Sequence, residues 1–313
     1  MSDGVIGKTP YPPLSELRRS SFAVAYRMLG GVAEAEDIVQ EAFLRWQKAK
    51  DAGAPVESPK AYLTTITTRL AIDHFRSARV RRESYVGTWL PEPAVEEREP
   101  AVAAMEEKDS ISMAFLLLLE TLSPVERAVF LLREAFDFDY PEIAETVERS
   151  EENCRQIYSR AKRHVDARRP RFETSRAKRD QLAERFFEAC QFGELDELVN
   201  TLAADVVFHG DGGGKATAVV QPVRGPDRVA RLLRGLFQKG KLLGTRRRPV
   251  EVNAQPGAMV FDSGGRLINV IALDIADERV QSIRSVVNPE RLRHLGPLSD
   301  LTRLPPRTDQ RSE

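Results

Sequence analysis

The stretch Ala35-Glu36-Asp37-Ile38-Val39-Gln40-Glu41-Ala42-Phe43-Leu44-Arg45-Trp46 decides how the N-terminal part of the chain is read. Val39, Ala42, Phe43 and Trp46 recur at i, i+3, i+4 and i+7, one stripe of a 3.6-residue helix, which predicts a helix over 33–50 with that stripe inward. Opposite it, Asp37, Glu41, Arg45 and Lys48 follow at spacings of four, four and three, with Leu44 exposed beside them. Taken alone, that face is a solvated ion-pair ladder. Downstream, Ser58-Pro59 marks a second helix start: the serine caps free backbone N–H groups, and proline at the first helical position lacks only a donor that would go unused. Its inward residues are Leu63, Ile66 and Leu70. Lys60, Arg69 and Arg76 point out, followed by Arg79, Arg81 and Arg82, so that edge is basic. The β-branched Thr64, Thr65, Thr67 and Thr68 weaken the helix in isolation, and tertiary packing must hold it.

Outward from this block, Ser123-Pro124 repeats the cap-plus-proline start, with Val125, Ala128, Val129 and Leu132 as its stripe. A short helix begins near Pro141, with Ile143, Ala144 and Val147 apolar, and breaks at Glu148-Arg149. Ser150 caps a third helix whose Cys154, Ile157 and Ala161 face inward while Arg155, Gln156, Ser159, Arg160, Lys162 and Arg163 stay outside. Two short helices and a tight turn make a helix-turn-helix or an ordinary helical hairpin. The donors on the last helix favour DNA, because Arg and Lys neutralise phosphates while Arg and Gln form paired bonds with base edges. Spacing does not decide which of Arg155, Gln156, Ser159 and Arg160 meets bases.

Between the helical segments, Trp89-Leu90-Pro91-Glu92-Pro93 is extended, since each proline biases its predecessor away from helix. An exposed Trp in a solvated spacer is unexpected, so Trp89 is predicted to dock elsewhere on the protein. After residue 177 the pattern becomes helix plus strand: Leu182, Phe186 and Ala189 mark a helix that Gly193 stops. Short apolar runs follow at 206–208, 219–223, 249–252, 267–275 and 280–287, with Gly225-Pro226 opening another helix among them. This is an α+β domain. His209 and Asp211 at a strand end, and Asn269 on an alternating face with Leu267, Ile271 and Leu273, are the candidates for acid–base chemistry. A lone His is more often structural, and Asp211-Gly212-Gly213-Gly214-Lys215 reads first as a flexible turn lacking phosphate-loop spacing.

Composition bounds the rest. At 313 residues, with 42% hydrophobic and 30% charged residues, the chain suggests two or three soluble domains of about 100 to 150 residues each. The apolar run 115–119 is far short of the roughly 20 residues of a membrane span, and no hydrophobic signal core precedes residue 14, so a cytoplasmic location is expected. Cys154 and Cys190 have neither CxxC spacing nor a His cluster nearby, so no metal site, disulfide framework or cofactor is expected. The 47 basic and 47 acidic residues cancel overall. Locally they do not: 155–179 holds ten Lys or Arg against Asp166 and Glu173, while in 89–120 acidic residues outnumber basic ones eight to two. One stretch suits phosphates and the other repels them.

Several of these stretches carry a family resemblance. The run 35–46, Ser58-Pro59-Lys60-Ala61-Tyr62-Leu63 and Leu70-Ala71-Ile72-Asp73-His74-Phe75-Arg76 resemble domain two of extracytoplasmic-function sigma factors. Leu122-Ser123-Pro124-Val125-Glu126-Arg127-Ala128-Val129-Phe130-Leu131-Leu132, Glu142-Ile143-Ala144-Glu145 and Arg160-Ala161-Lys162-Arg163 are similar to domain four. The resemblance implies that Asp37, Glu41, Leu44 and Arg45 bind the clamp helices of core RNA polymerase. It implies that Lys60, Tyr62, Arg69, Asp73, His74 and Arg76 hold the −10 element, where melted bases enter protein pockets, and that the third helix reads the −35 element. Tyr62 stands where members often carry Trp, and Glu148 where Gly is common. Residues 89–93 resemble a linker motif of the SigJ-type subgroup, whose fused C-terminal domain is SnoaL-like, a curved sheet around helices. In that subgroup Trp89 to Pro93, Asp211-Gly212-Gly213-Gly214-Lys215 and Asn288-Pro289 recur as docking features, with Arg291 replacing the usual Lys.

The expected architecture is therefore two all-α sigma domains (14–88 and 111–172), an acidic linker (89–110), an α+β SnoaL-like cone (177–294) and a tail (295–313). The expected function is an alternative sigma factor regulated by its own C-terminal domain. It binds promoter DNA and polymerase clamp and flap, needs no separate anti-sigma factor and is not an enzyme; whether the cone pocket takes a small-molecule ligand is left open by the sequence. Two other functions fit parts of the pattern: a SnoaL-like isomerase or cyclase fused to a DNA-binding module, and a DNA-binding regulator that works without polymerase.

Overall fold

A computed structural model of the chain describes residues 12–83, 85–96, 112–167, 175–192 and 195–300. In chain order the helices and strands are α1 (Leu14–Leu29), α2 (Val32–Asp51), α3 (Pro59–Glu83), β1 (Val95–Glu96), α4 (Met113–Leu119), α5 (Pro124–Glu134), α6 (Tyr140–Val147), α7 (Glu151–Asp166), α8 (Arg176–Phe192) and α9 (Leu195–Thr201). They continue with β2 (Leu202–Asp211), β3 (Val223–Arg224), α10 (Pro226–Leu242), β4 (Arg246–Val252), β5 (Gln255–Phe261), β6 (Leu267–Ala276), β7 (Arg279–Val286) and α11 (Pro289–Leu292). The chain divides into two compact units, residues 1–79 with 119–168, and residues 80–118 with 169–313. Most of both predicted helical segments falls in one unit, whereas residues 80–88 and 111–118 fall with the linker and the C-terminal region.

In the helical unit the predicted α2 stripe is inward: Val39 and Ala42 are fully buried, and Trp46 packs with Leu17 and Leu63. Ser58 caps α3, its hydroxyl accepting from the Ala61 N–H at 3.3 Å. The fully buried side of α3 holds Thr64, Thr67 and Thr68 beside Leu63, Ala71 and Phe75, whereas Ile66 and Leu70 are half-buried. Three of the four threonines that lower helix propensity are thus packed inward, and Thr65 is half-buried. Ser123 with Glu126 and Asp139 with Glu142 form capping boxes at the starts of α5 and α6, each satisfying otherwise free N–H groups. Arg127 of α5 is a fully buried cation. Its guanidinium donates to Glu120 at 2.9 Å and to the Met28 carbonyl, and lies 4.3 Å from the centre of the Phe75 ring. Those contacts join α5 to the α1–α3 part of the unit. Removal of one partner would strand a desolvated charge.

The second unit is built on a seven-stranded sheet in the order β1-β4-β5-β6-β7-β2-β3. All neighbours are antiparallel except β2 and β7. Phe186, Phe187, Leu198, Val229 and Leu233 from α8, α9 and α10 pack on Phe208, Ile271, Leu273 and Ile283. A separate cluster gathers Val250, Val252, Met259, Val270 and Val286 with Leu292, with Leu90 of the linker and with Met113 of α4. This is the expected α+β architecture. Two strand expectations change. β5 was not anticipated, because Pro256 and Gly257 argue against a strand; yet the ladder places Gly257 opposite Ala272, where a Cβ would meet the Ile271 carbonyl at 2.3 Å. Of the predicted strand over 219–223 only Val223 lies in a strand, β3. The β4–β5 and β6–β7 turns hold Asn253, Ala254, Asp277 and Glu278 at φ of 50° to 57°, the left-handed conformation that matches strand twist in two-residue hairpins.

Candidate functional site

The amphipathic spacing of α7 determines which of its side chains are free. Cys154, Ile157, Ala161 and Val165 are buried, and Ser150 caps the helix by accepting from the Asn153 N–H at 3.3 Å. Gln156, Ser159, Arg160 and Arg163 are exposed together, at angular positions one helix face can share. Arg155 is exposed on the flank, 2.9 Å from Glu151, and lies 4.8 Å from the centre of the Tyr140 ring. Lys162 departs from its expected outward placement. It is half-buried and bonded to Glu134 at 2.6 Å, and that carboxylate pushes its pKa up. Glu148, in the preceding turn, adopts φ +55°, so the left-handed turn forms without glycine at a cost of about 1 kcal/mol.

On α2, Asp37, Glu41, Leu44 and Arg45 are exposed, and among the described residues Glu41–Arg45 is the formed rung of the ladder at 2.7 Å. Along α3, Lys60 and Asp73 are exposed. Tyr62 packs against the cluster of Leu17, Ala42, Trp46 and Leu63. His74 is half-buried 3.6 Å from Glu34. Arg69 departs from its expected solvent-facing role: it donates to the carbonyls of Thr146 at 3.1 Å and Glu145 at 2.7 Å, while Thr65 and Thr146 hydroxyls meet at 3.2 Å. These are the free carbonyls at the end of α6, which cations favour. One cation of the face expected to hold DNA, Arg69, is therefore engaged by α6. The side chain of Arg76, with Arg79, Arg81 and Arg82, lies outside the described side chains.

The linker is locked to the sheet by one buried carboxylate. Asp211, with no solvent exposure, accepts from the Tyr85 hydroxyl and from the Leu90 N–H at 2.9 Å. Burial pushes the Asp211 carboxyl up against the opposing pull of these donors; burial and the Asp211 charge push the Tyr85 phenol up to about 12. Asn288, also buried, donates to the Tyr85 oxygen at 2.6 Å and caps α11 through the Glu290 N–H at 3.0 Å. Arg291 lies 5.1 Å from the centre of the half-buried Trp89 ring and 3.4 Å from Glu92, and His294 bonds the Pro93 carbonyl at 2.9 Å. Leu90, Pro91, Glu92 and Pro93 are buried. Beyond them β1 adds to the β4 edge, with Val95 opposite Val252.

The glycine triplet is part of this packing. Gly213 has φ +57°, and a Cβ there would lie 2.2 Å from Asn288 Nδ2 and 2.8 Å from the Tyr85 oxygen. At Gly212 a Cβ would lie 2.4 Å from the Ala216 carbonyl oxygen. Lys215 pairs with Glu290. The segment read first as a flexible turn is a fitted wall. Tyr85 was missed by sequence reasoning, though the argument that singled out Trp89, an aromatic in a polar spacer, applies to it equally. Glu97 and Glu99 of the acidic stretch lie outside the described residues.

The acid–base candidates do not converge. Asp211 is held by the Tyr85 hydroxyl and the Leu90 N–H. His209 pairs with Arg284 in register, and Asn269 accepts from Ser285 at 3.2 Å. Because Arg284 and Ser285 are consecutive in a strand they face opposite sides, and so do His209 and Asn269. Burial, with Arg284 and Arg224 nearby, pushes His209 down to about 4. Among the described residues no group of His, Cys, Asp or Glu could hold a metal ion, and no helix is long and apolar enough to cross a membrane.

Comparison with known proteins matches both helical segments and most of the chain's length. Residues 14–81 match the Sigma-70 region 2 family and residues 112–165 the Sigma-70, region 4 family. The chain is 37% identical over 286 residues to the ECF RNA polymerase sigma factor SigJ of Mycobacterium tuberculosis, covering 88% of this chain and 90% of that one. It is 33% identical over 273 residues to the probable ECF RNA polymerase sigma factor SigI of the same species, covering 86% of this chain and 90% of that one. The crystal structure of M. tuberculosis SigJ superposes with a TM-score of 0.71 at 35% identity, covering 92% of this chain and 100% of that one.

Proposed function

The chain belongs to the extracytoplasmic-function RNA polymerase sigma factors, and on that premise we propose how its parts divide the work. It is an alternative sigma factor that directs promoter recognition and transcription initiation, and it binds core RNA polymerase and promoter DNA. In our reading the exposed Asp37, Glu41, Leu44 and Arg45 face meets the polymerase clamp helices. Gln156, Ser159, Arg160 and Arg163, with Arg155 on the flank, meet the −35 element. The α3 face holds the −10 element, where melted bases are captured by stacking and hydrogen bonding rather than by ATP hydrolysis. The chain itself catalyses no reaction and acts in the cytoplasm, where polymerase and promoter meet.

We further propose that the SnoaL-like domain regulates this activity through the linker, without a separate anti-sigma factor. The observation that carries this reading is the capture of the Leu90 N–H and Tyr85 hydroxyl by the buried Asp211 carboxylate. Within the helical unit the bonds from Arg69 to α6 are a separate internal restraint, since a DNA-binding side chain occupied internally must be released first. Polymerase then selects an open population against these contacts. Run-off transcription with core polymerase tests it by comparing the full chain, a chain ending near residue 175, and Trp89→Ala. Changed initiation with helical folds intact is expected; identical initiation from all three would reject internal regulation while leaving sigma activity standing.

A further inference from the structure

Although the whole chain is neutral, residues 224–248 hold nine Arg or Lys against Asp227 alone. The structure gathers most of them on one surface of the C-terminal domain. α10 buries Val229, Ala230 and Leu233 against the sheet. That orientation leaves Arg228, Arg231, Arg234, Lys239 and Lys241 exposed. On the helical wheel the first four spread over an arc of about 140°. The Thr245 N–H bonds back to the Gly240 carbonyl at 3.0 Å, so the chain turns tightly into β4 and brings the exposed Arg246 up beside the end of α10. Among the described residues none of these six cations has an ion-pair partner. By contrast, exposed Lys178, Arg266 and Arg293 of the same domain lie 2.9, 3.1 and 3.7 Å from Glu278, Asp262 and Glu290. Nor is the face needed for the linker: Asp211, Asn288 and Arg291, which hold it, lie on other elements.

We propose that the exposed cationic face of α10 binds the sugar–phosphate backbone of duplex DNA, giving this sigma factor a sequence-independent contact outside both promoter-reading domains. Charge complementarity selects the occupant. The chain already acts on a polyanion, and guanidinium groups without ion-pair partners on a rigid helix suit phosphate oxygens, which accept paired donors; Arg231 spends only its Nε–H on the Asp227 carbonyl. The contact carries no base information and shows as salt-dependent affinity.

The test uses the full chain and a fluorescent mixed-sequence duplex, titrated across a salt series, with core-polymerase binding measured in parallel. R228Q/R231Q/R234Q should weaken duplex binding about tenfold and make the log–log salt dependence shallower by about 2 to 3. The lysine triple at the same positions should retain most of the binding, and K178Q/R266Q/R293Q, which removes three already paired charges, should match wild type. Wild-type affinity and slope in the glutamine triple would overturn the proposal. So would equal loss in the lysine triple, because that would report damage rather than charge. Weakened polymerase binding with duplex binding unchanged would overturn it in favour of an acidic protein surface.

Discussion

The linker clasp and the recognition helix use polar groups in opposite ways. Around Asp211 polar groups meet one another inside the protein: Tyr85 and Leu90 donate to the carboxylate, Asn288 donates to Tyr85, and Arg291 lies close to both Trp89 and Glu92. Along α7 the apolar half is buried and Gln156, Ser159, Arg160 and Arg163 face solvent. The first arrangement is intolerant because any missing partner leaves a buried polar group unsatisfied. The second contributes little to stability and is available to a ligand. Sensitivity to substitution should therefore separate the two regions: stability should report the clasp, and promoter affinity should report the helix.

The strongest way to break that contrast is Gly213→Ala, which adds a Cβ 2.2 Å from Asn288 Nδ2 at φ +57°. The C-terminal unit should lose about 2 to 4 kcal/mol in thermal or urea unfolding; an unchanged midpoint would mean that the clasp yields easily. Asp211→Asn keeps the shape but turns one acceptor into a donor facing Tyr85 or Leu90. A cost of about 2 kcal/mol is expected, with a shift in Trp89 fluorescence measured in a Trp46→Phe background. Arg160→Ala should leave unfolding within about 0.5 kcal/mol of wild type. Its effect belongs in DNA binding, with the holoenzyme's promoter affinity reduced by about 1 to 3 kcal/mol if it touches a base.

A pH titration sharpens the picture further. His209 in the folded protein is held down at about 4 against its usual 6.5, so the unfolded chain takes up the proton first as pH falls. The stability from keeping His209 neutral is complete above 6.5 and is lost on acidification toward 4, by about 1 to 2 kcal/mol given its partial exposure. Asp211, pushed the other way, contributes with opposite sign. Comparing the unfolding midpoints of wild type and His209→Gln over this range isolates the histidine. The smallest effect is expected at Glu148→Gly: relief of the left-handed φ of 55° should stabilise the helical unit by about 0.5 to 1 kcal/mol, read as a raised melting temperature.

How much of this was legible follows from the range of the interactions. Helices α2, α3, α5 and α7 announce themselves through 3.6-residue periodicity, with Ser-Pro starts at α3 and α5, because caps and stripes are written within a few residues of each other. The α7 donors followed directly, except Lys162, whose partner Glu134 lies on another helix. Strand β5 was hidden because Pro256 and Gly257 suit a strand only where a neighbour approaches closely. Burial of Leu90 to Pro93 was hidden because extended proline-rich chain looks alike whether it is solvated or laid on a sheet. Arg127 gave no local sign of burial, as its partners Met28, Phe75 and Glu120 come from three separate places. The cationic run at 224–248 escaped because its charge is cancelled elsewhere.

The two-residue strand β1 has a consequence for handling the opened protein. While it is in place, the Asn253 N–H bonds the Ala94 carbonyl at 2.9 Å and Val95 covers the apolar cluster below. Peeling it away would bare the rim of β4, with main-chain groups seeking a new strand and greasy side chains beneath. Freed sigma factor would then tend to self-associate and lose solubility unless another protein covers that rim promptly.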